Sequence, residues 1–358
     1  MATDLRYENV SDDQRDLAQV AAKYFESSRS DPLGGGDLGW FGIGIDPEHG
    51  GAGGETADLA MVVEAAGAAL SASAVGEVAL VAGPLFAGHC APDVLSDLLE
   101  GRATVAIPAT SPWRTADQLR LADGRVSGEF ITLGVEQPDL LVVPLHAADR
   151  SAQLLLLPST DSPVACEVLE SSDVTRSVLR VTLNGSPVSA AAGQVTGPDV
   201  FTGLMARQST NMALDAVGLA RVALERTLAY AAIREQFGRP IGSFQAYKHR
   251  CASAFIELKL AQSAAFNAAD SFDAAATGGT SRASLLGLAA GRFATSRATF
   301  ICGEAVQLHG GIGFTWEAGL HAFLKRARMD EIIGRGCAVA RATLLALDDQ
   351  ASDDTSSE

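Results

Sequence analysis

The sequence predicts an α+β fold that is mainly α: an N-terminal helical region, a small β region and a C-terminal four-helix bundle. Three observations predict it. Apolar residues recur at helical spacing up to about Gly101 and again from Pro198 to Leu347. Short β-prone runs separated by Pro, Gly, Asp and Asn fill the stretch between. Aromatics make up only 6% of the 358 residues, while alanine and glycine abound, a mix that suits closely packed helices more than a large β-sandwich.

Residues 1–101 read as helices and loops. Ser11 followed by Gln14 forms a capping-box pattern that opens an amphipathic segment through Tyr24. Gly34-Gly35-Gly36 and His49-Gly50-Gly51-Ala52-Gly53-Gly54 punctuate loops, and helical spacing resumes from Ala57 to Val75. In residues 102–197 the expected strands are Thr104–Ile107, Arg125–Ile131, Leu140–Val143, Leu154–Leu157 and Val178–Leu183. In residues 198–347, Leu214, Val217, Ala220, Leu224, Leu228 and Ala231 form one buried stripe on the first helix. Gln245–Asp270 and Ser284–Leu308 are the second and third helices. A fourth runs from Leu320 to Met329 and resumes near Ala338. Residues 348–358 are acidic and serine-rich, and disorder is expected there.

A formal net charge of −16 argues against nucleic acid or an anionic membrane as partner, because phosphate binding needs clustered Lys and Arg. An anionic ligand would have to be met by a local basic group. Cys90, Cys166, Cys251, Cys302 and Cys337 are scattered without metal-ligand spacing, which fits reduced thiols of a cytoplasmic protein. Met1–Asn9 lacks the basic-then-apolar pattern of a signal peptide. The apolar stretch from Val75 to Ala87 is interrupted by Glu77 and is too short to span a bilayer. No strand–GxGxxG–helix unit and no P-loop is present, so a Rossmann or nucleotide-triphosphatase reading has no support.

Two motifs carry candidate chemistry. Arg234-Glu235-Gln236-Phe237-Gly238-Arg239-Pro240-Ile241-Gly242-Ser243-Phe244-Gln245 lies between two bundle helices. Arg234 at a helix end offers a five-donor fork suited to a pyrophosphate, and Phe237 and Phe244 offer aromatic surfaces beside it. The plainer alternative is an arginine on the last helix carbonyls and a core phenylalanine. The second motif is Gln307-Leu308-His309-Gly310-Gly311-Ile312-Gly313-Phe314-Thr315-Trp316-Glu317, whose glycines let backbone approach a ligand and aim N–H groups at it. Its plainer alternative is a helix–helix turn, with His309 as a satisfied structural histidine.

Together and in this order, the motifs resemble the C-terminal domain of acyl-CoA dehydrogenases, with R-x-x-F-G-x-x-I-x-x-x-Q and Q-x-x-G-G-x-G-F/Y-x-x-E. Asp46-Pro47-Glu48-His49-Gly50-Gly51 resembles the family's P-E-x-x-G-G loop. The resemblance implies a helical domain, a β domain and a helical bundle in a tetramer, with FAD at a subunit interface. It implies that Arg234, Phe237, Phe244, Gln245, Gln307 and Gly311 hold the pyrophosphate and adenosine of a neighbour's FAD. The family's reaction is α,β-desaturation of an acyl-CoA thioester. A glutamate takes the α proton while the β hydrogen leaves as hydride to the flavin.

The sequence departs from the family at the base and at the flavin ring. Ungapped counting puts the family glutamate on Gly334, and the alternative position on the first bundle helix on Gln208. Neither is a carboxylate. Where the family carries T-E-x-x-A-G-S, this chain has Ile107-Pro108-Ala109-Thr110-Ser111-Pro112-Trp113, and its W-I-T is reduced to Phe130-Ile131-Thr132. The chain therefore resembles the shorter, base-lacking subunit of actinobacterial α2β2 steroid side-chain acyl-CoA dehydrogenases. That implies a longer partner subunit, an acyl-CoA substrate with a possible steroid side chain, and an electron-transfer acceptor. Two alternatives are a self-sufficient dehydrogenase with Glu331 or Asp330 as displaced base, and a non-redox scaffold of the same fold.

Overall fold

A computed structural model describes residues 5, 7–147, 149–160, 163–275 and 280–336. Helix α1 runs Asp12–Ser27, opened by the expected capping box: Ser11 Oγ accepts from the Gln14 N–H, and Gln14 Oε1 accepts from the Ser11 N–H. Helix α2 (Thr56–Ala68) stops short of Val75, because Leu70 takes a left-handed φ of 57° that breaks the helical path. The chain then rewinds as a π-helical turn, Gly76–Ala82, which runs into α3 (Gly83–Phe86). Only glycine fits at the start of that turn, since a Cβ on Gly76 would lie 1.9 Å from Asn211 Oδ1. Helix α4 (Pro92–Leu99) completes the helical region.

The β region comprises β1 (Val105–Pro108), α5 (Pro112–Gln118), β2 (Leu119–Ala122), β3 (Arg125–Gly134), β4 (Leu140–His146), β5 (Ala152–Pro158), β6 (Val164–Leu169), β7 (Ser177–Pro187) and β8 (Gly193–Thr196). The five expected strands are present; α5, β2, β6 and β8 are additional. The strand order is β6-β7-β3-β1-β4-β5-β8, with β2 paired on β3. β1 lies parallel to β4 and antiparallel to β3. Side chains alternate between two buried faces. Val105, Ile107, Leu140, Val142, Leu154 and Leu156 join the helical core, while Ala106, Leu141, Val143, Leu155 and Leu157 pack with Phe130 and Val181 on the other side.

The bundle consists of α6 (Val200–Ile233), a short hairpin of β9 (Glu235–Gln236) and β10 (Arg239–Pro240), α7 (Gln245–Ala275), α8 (Thr280–His309) and α9 (Leu320–Gly336). Helix α6 is ended by that hairpin. Its Leu214, Val217, Ala220, Leu224 and Ala231 are buried as predicted and Leu228 is half-buried, but so are its polar residues Asn211, Asp215 and Arg221 on other faces. Small residues permit this enclosure. A Cβ on Gly67 of α2 would lie 2.4 Å from the Asp215 carbonyl, and one on Gly218 of α6 would lie 2.1 Å from the Glu64 carbonyl. Gly287 and Gly291 bring α8 equally close to α6. Helix α9 continues through Gly336 where the pattern predicts a break after Met329, because Asp330 points into the core instead of marking a helix end. Cys337, the resumption near Ala338 and the tail 348–358 lie outside the described residues.

The three regions meet at a buried ionic cluster. Arg326 of α9 forks onto Asp215 of α6, with Nη2 to Oδ1 at 2.5 Å and Nε to Oδ2 at 2.9 Å. Its Nη1 donates to the Ser71 carbonyl at 2.6 Å and to Thr175 Oγ1 at 3.1 Å. One guanidinium thus ties the segment after α2, the loop before β7 and two bundle helices. Arg176, from the same loop, donates to Asp330 at 2.6 Å and to Asp173 at 3.2 Å. Glu77 of the π turn lies half-buried nearby, so four carboxyls face two guanidiniums. Burial is the largest influence on Asp330 and pushes it well above the usual carboxylate range, against the pull of Arg176. Burial acts on Asp215 too, but Arg326 and Arg176 outweigh it and hold that carboxyl below the usual range. With both carboxyls ionised Asp330 Oδ2 has no donor among the described residues, whereas a proton on Asp330 shared with Asp215 gives both a hydrogen bond.

Two outcomes are expected from this cluster. Arg326→Ala strands Asp215 without its fork and lowers the unfolding free energy by about 3–5 kcal/mol, measured by denaturant titration. Asp330→Asn separates a protonated from an ionised Asp330. The folded-state pKa of Asp330 is raised, so from about pH 4 upward the unfolded chain ionises there while the native one does not. Native stability therefore declines with rising pH until the folded pKa is passed, by at most about 1.4 kcal/mol per pH unit. The substituted amide cannot ionise. Thermal melts from pH 4 to 8 should show the variant gaining on wild type as pH rises. A variant that instead loses ground as pH rises would mean an ionised Asp330 paired with Arg176.

Candidate functional site

Both motifs lie at one end of the bundle. Arg234 caps α6 in an extended conformation: its N–H donates the last helical bond, to the Tyr230 carbonyl, and its own carbonyl accepts from the Ile241 N–H across the hairpin. Strands β9 and β10 pair Gln236 with Arg239 and Glu235 with Pro240. The connecting residues Phe237 (φ 54°) and Gly238 (φ 78°) are both left-handed, as a tight two-residue hairpin turn requires. That turn drives Phe237 outward, leaving it 93% exposed, with its ring 6.1 Å from that of Phe244 and nearly perpendicular. The Arg239 guanidinium sits 4.1 Å above the Phe244 ring, a contact the motif's spacing does not reveal. Arg234 and Gln245 are exposed, and no pairing with an acid holds the Arg234 fork among the described residues.

The second motif begins on the last turn of α8 and continues as a 3-10 turn, Gly310–Phe314. Gly310 is left-handed (φ 64°), and a Cβ on Gly310 or Gly311 would meet nothing within 4 Å, so a ligand can approach this backbone. Gly313 is different: its Cβ would lie 2.3 Å from the Val306 carbonyl, so glycine there is a packing requirement. Gln307 is exposed. Two contacts join the motifs across the bundle. Tyr247 of α7 donates its hydroxyl to the Leu308 carbonyl at 3.4 Å, and Tyr230 of α6 stacks on His309 with ring centroids 4.5 Å apart. Phe314 and Trp316 are 73% and 77% exposed beside them. The result is an open platform with a basic fork, a glycine backbone without cover and exposed aromatic rings.

The seam between the β region and the bundle has the opposite character. Gln208 of α6 donates its amide to the Pro108 carbonyl at the end of β1, at 2.7 Å. Leu133, Met212 and Ile333 form a small apolar cluster there, with Ala109, Val178 and Met329 against it. Ser111 Oγ and Thr132 Oγ1 are buried with no partner among the described residues. Deeper in, between the π turn, α6 and Arg176, the enclosed space amounts to about 10 Å³, room for a single water. Trp113 packs edge-on against Phe201. No side chain extends from Gly334, which faces Thr295 and Gly291 of α8. Glu331 is buried and accepts from Arg328 at 2.7 Å, while Asp330 is bound into the ionic cluster.

The residues of the open platform are those the two motifs single out. Arg239 on Phe244, the Tyr230–His309 stack and the ionic cluster leave no such signal. Each joins residues distant in sequence or reads locally as an ordinary surface residue.

Comparison with known proteins agrees with this architecture. Residues 12–90 match the model for the acyl-CoA dehydrogenase N-terminal domain, and residues 196–344 match that for the acyl-CoA dehydrogenase C-terminal domain, together more than half of the chain. The chain is 32% identical to acyl-CoA dehydrogenase FadE34 of Mycobacterium tuberculosis over 81% of its own length, but spans only 38% of the length of that relative. Among solved structures it superposes on a chain of the ChsE4-ChsE5 complex from Mycobacterium tuberculosis with a TM-score of 0.80, at 22% identity over 98% of this chain and 99% of that one. It superposes on a chain of the Tcur3481-Tcur3483 steroid ACAD G363A variant with a TM-score of 0.81, at 22% identity over 95% and 99%. With its N- and C-terminal helical regions matched and its helix–sheet–helix order shared with these structures, the chain belongs to the acyl-CoA dehydrogenase family.

Proposed function

We propose that the chain is one subunit of a heteromeric, FAD-dependent acyl-CoA dehydrogenase, contributing the adenosine and pyrophosphate side of a partner's FAD site and no catalytic base. The observation that carries this reading is the asymmetry between the two half-sites. The platform of Arg234, Phe237, Phe244, Gln245, Gln307 and Gly311 is open, and its residues fit a dinucleotide. Where the chain's own flavin ring would lie, Gln208 bonds directly to Pro108 and apolar side chains close the gap, so the residues there do not fit the ring.

On this reading each group has a definite task. The Arg234 fork binds the pyrophosphate, whose charge the acidic chain would otherwise repel. The Gly310-Gly311 backbone donates to the same oxygens. Phe237 and Phe244 exclude water beside the adenosine. Bound FAD supplies the redox chemistry of desaturation. Neither candidate position among the described residues offers a free proton acceptor for the α carbon: Gln208 is an amide spent on Pro108, and Glu331 is engaged by Arg328. The base therefore belongs to the partner.

The partner is a longer family member, in an α2β2 assembly. Exposed Phe237, Phe314 and Trp316 at the platform, and Ile256, Leu260 and Phe300 on the outer faces of α7 and α8, supply apolar area for it to cover. The pairing of two chains in the ChsE4-ChsE5 complex favours a second, different subunit, and the likeness to a steroid ACAD favours an acyl-CoA with a steroid side chain as substrate. No helix among the described residues is long and apolar enough to cross a membrane, and Cys90, Cys166, Cys251 and Cys302 are free thiols, which fits a cytoplasmic complex that passes electrons to a transfer protein.

Flavin content measured by visible absorbance tests the assignment. The chain purified alone should be colourless, and the complex with the longer subunit should hold half as many FAD molecules as chains. A stoichiometric yellow chain that desaturates acyl-CoA alone would contradict it, and Glu331 would become the residue to mutate. In the complex, Arg234→Ala should weaken FAD retention by roughly ten- to a hundredfold, the worth of one charge-assisted contact. Unchanged retention would remove Arg234 from the site.

A further inference from the structure

His309 has no task in the reading above, yet it is held more firmly than its neighbours on the platform. Its Nδ1 lies 2.7 Å from the Ala305 carbonyl, one turn back on α8, and its ring lies nearly parallel to Tyr230, 18° between planes. A carbonyl only accepts, so Nδ1 carries the hydrogen and Nε2 the lone pair. Nε2 has no hydrogen-bond partner and is not a buried atom, among the described residues. Burial, helped by the Arg226 charge, lowers the imidazole pKa below its ordinary value, against the Ala305 bond. The ring is therefore neutral at pH 7 and presents an acceptor in a fixed place. The next residues are Gly310 and Gly311, with open space around them.

An acceptor fixed beside an anion-binding turn is informative about what it meets. Phosphate oxygens only accept, and a bare Nε2 offers them nothing. Adenosine carries donors, in its exocyclic amino group and its ribose hydroxyls. We infer that His309 Nε2 accepts a hydrogen bond from the adenosine half of the partner's FAD, making His309 a specificity residue for the dinucleotide. The inference rests on the proposed sharing of FAD between subunits. It adds a requirement for a neutral donor at one point, next to the charge recognition by Arg234.

The test uses the complex with the longer subunit and reads FAD affinity by flavin fluorescence. His309→Phe keeps a ring on Tyr230 and removes the acceptor; FAD binding should weaken about tenfold, the worth of one hydrogen bond, with FMN binding unchanged. His309→Gln, which extends a carbonyl oxygen to similar reach, should restore most of the loss. With the wild-type complex, an analogue carrying a keto oxygen in place of the adenine amino group, and deoxyribose analogues, identify the donor. The one that binds about tenfold more weakly to wild type, but no more weakly than FAD to His309→Phe, is the partner of Nε2. Wild-type binding of all these analogues equal to that of FAD overturns the inference, whatever the variants do. Loss of FAD in Arg234→Ala with none in His309→Phe overturns it while sparing the shared-site reading. Unchanged FAD affinity in both variants removes the shared site and this inference together.

Discussion

Two guanidiniums with almost no access to water dictate how the three regions of this protein sit together. Removing a charge from water costs several kcal/mol per ion, and only well-directed partners recover it. Arg326 recovers it from Asp215, the Ser71 carbonyl and Thr175, each from a different segment. Arg176 recovers it from Asp173 and Asp330. A shift of any one segment would strand a buried charge, whereas the apolar contacts around them would tolerate some sliding. The cluster is thus a positional constraint first and a source of stability second. Its proton balance follows from the same arithmetic: four carboxyls against two guanidiniums leave an excess of negative charge that burial does not allow, and burial raises Asp330 and Glu77 accordingly.

This constraint also closes one route for a ligand, while an open pocket of about 860 Å³, lined by Arg29, Leu33, Gly134, Asp139 and Arg176, remains beside it. With the regions clamped at the cluster, α6 and the end of β1 touch directly, and the space between the π turn and Arg176 shrinks to about the volume of one water. The far end of the bundle carries no buried cluster of this kind among the described residues; its α7–α8 ion pair, Arg250 on Glu304, is partly exposed. There α6, α7, α8 and α9 are linked by a hairpin and a glycine turn that hold their side chains outward. Closed seam and open platform are two consequences of one packing arrangement, so a change that opened the seam would have to disturb Arg176 or Arg326 and would be felt throughout the fold.

Much of this was legible in the sequence, for physical reasons that differ by element. The α1 start was readable because a capping box is a local device in Ser11 and Gln14. The central strands were readable because two buried faces leave continuous apolar runs such as Leu140–Val143. Strand β6 was not, since its outward residues leave no apolar alternation. The end of α2 was not, because Leu70 adopts a left-handed conformation that nothing in its residue type demands. The break assigned after Met329 failed for a related reason. Asp330 and Glu331 resemble a solvated helix end until Arg176, more than a hundred residues earlier, is known to face one of them. The platform residues were legible because glycine turns and a helix-terminal arginine are local patterns. The Tyr230 partner of His309 was not, because a stacking pair leaves no spacing to read.

A half-site is a meaningful object only if its physics is complete on its own side. The platform meets that condition: it combines a cation in a strongly acidic chain, glycine backbone without steric cover, and aromatic area that water contacts unfavourably. Each of these is unfavourable or unused while exposed, and on the proposed reading each would be satisfied by an anionic, aromatic dinucleotide held under a second chain. A scaffold would gain nothing from leaving Phe237 almost wholly exposed in a strained left-handed conformation, which costs of order 1 kcal/mol or more before any ligand arrives. The closed seam completes the case from the other side. Among the described residues the buried hydroxyls of Ser111, at the start of α5, and Thr132, on β3, have no hydrogen-bond partner, near where Gln208 donates to Pro108. Polar atoms left without partners in so tight a seam are hard to explain as optimised packing.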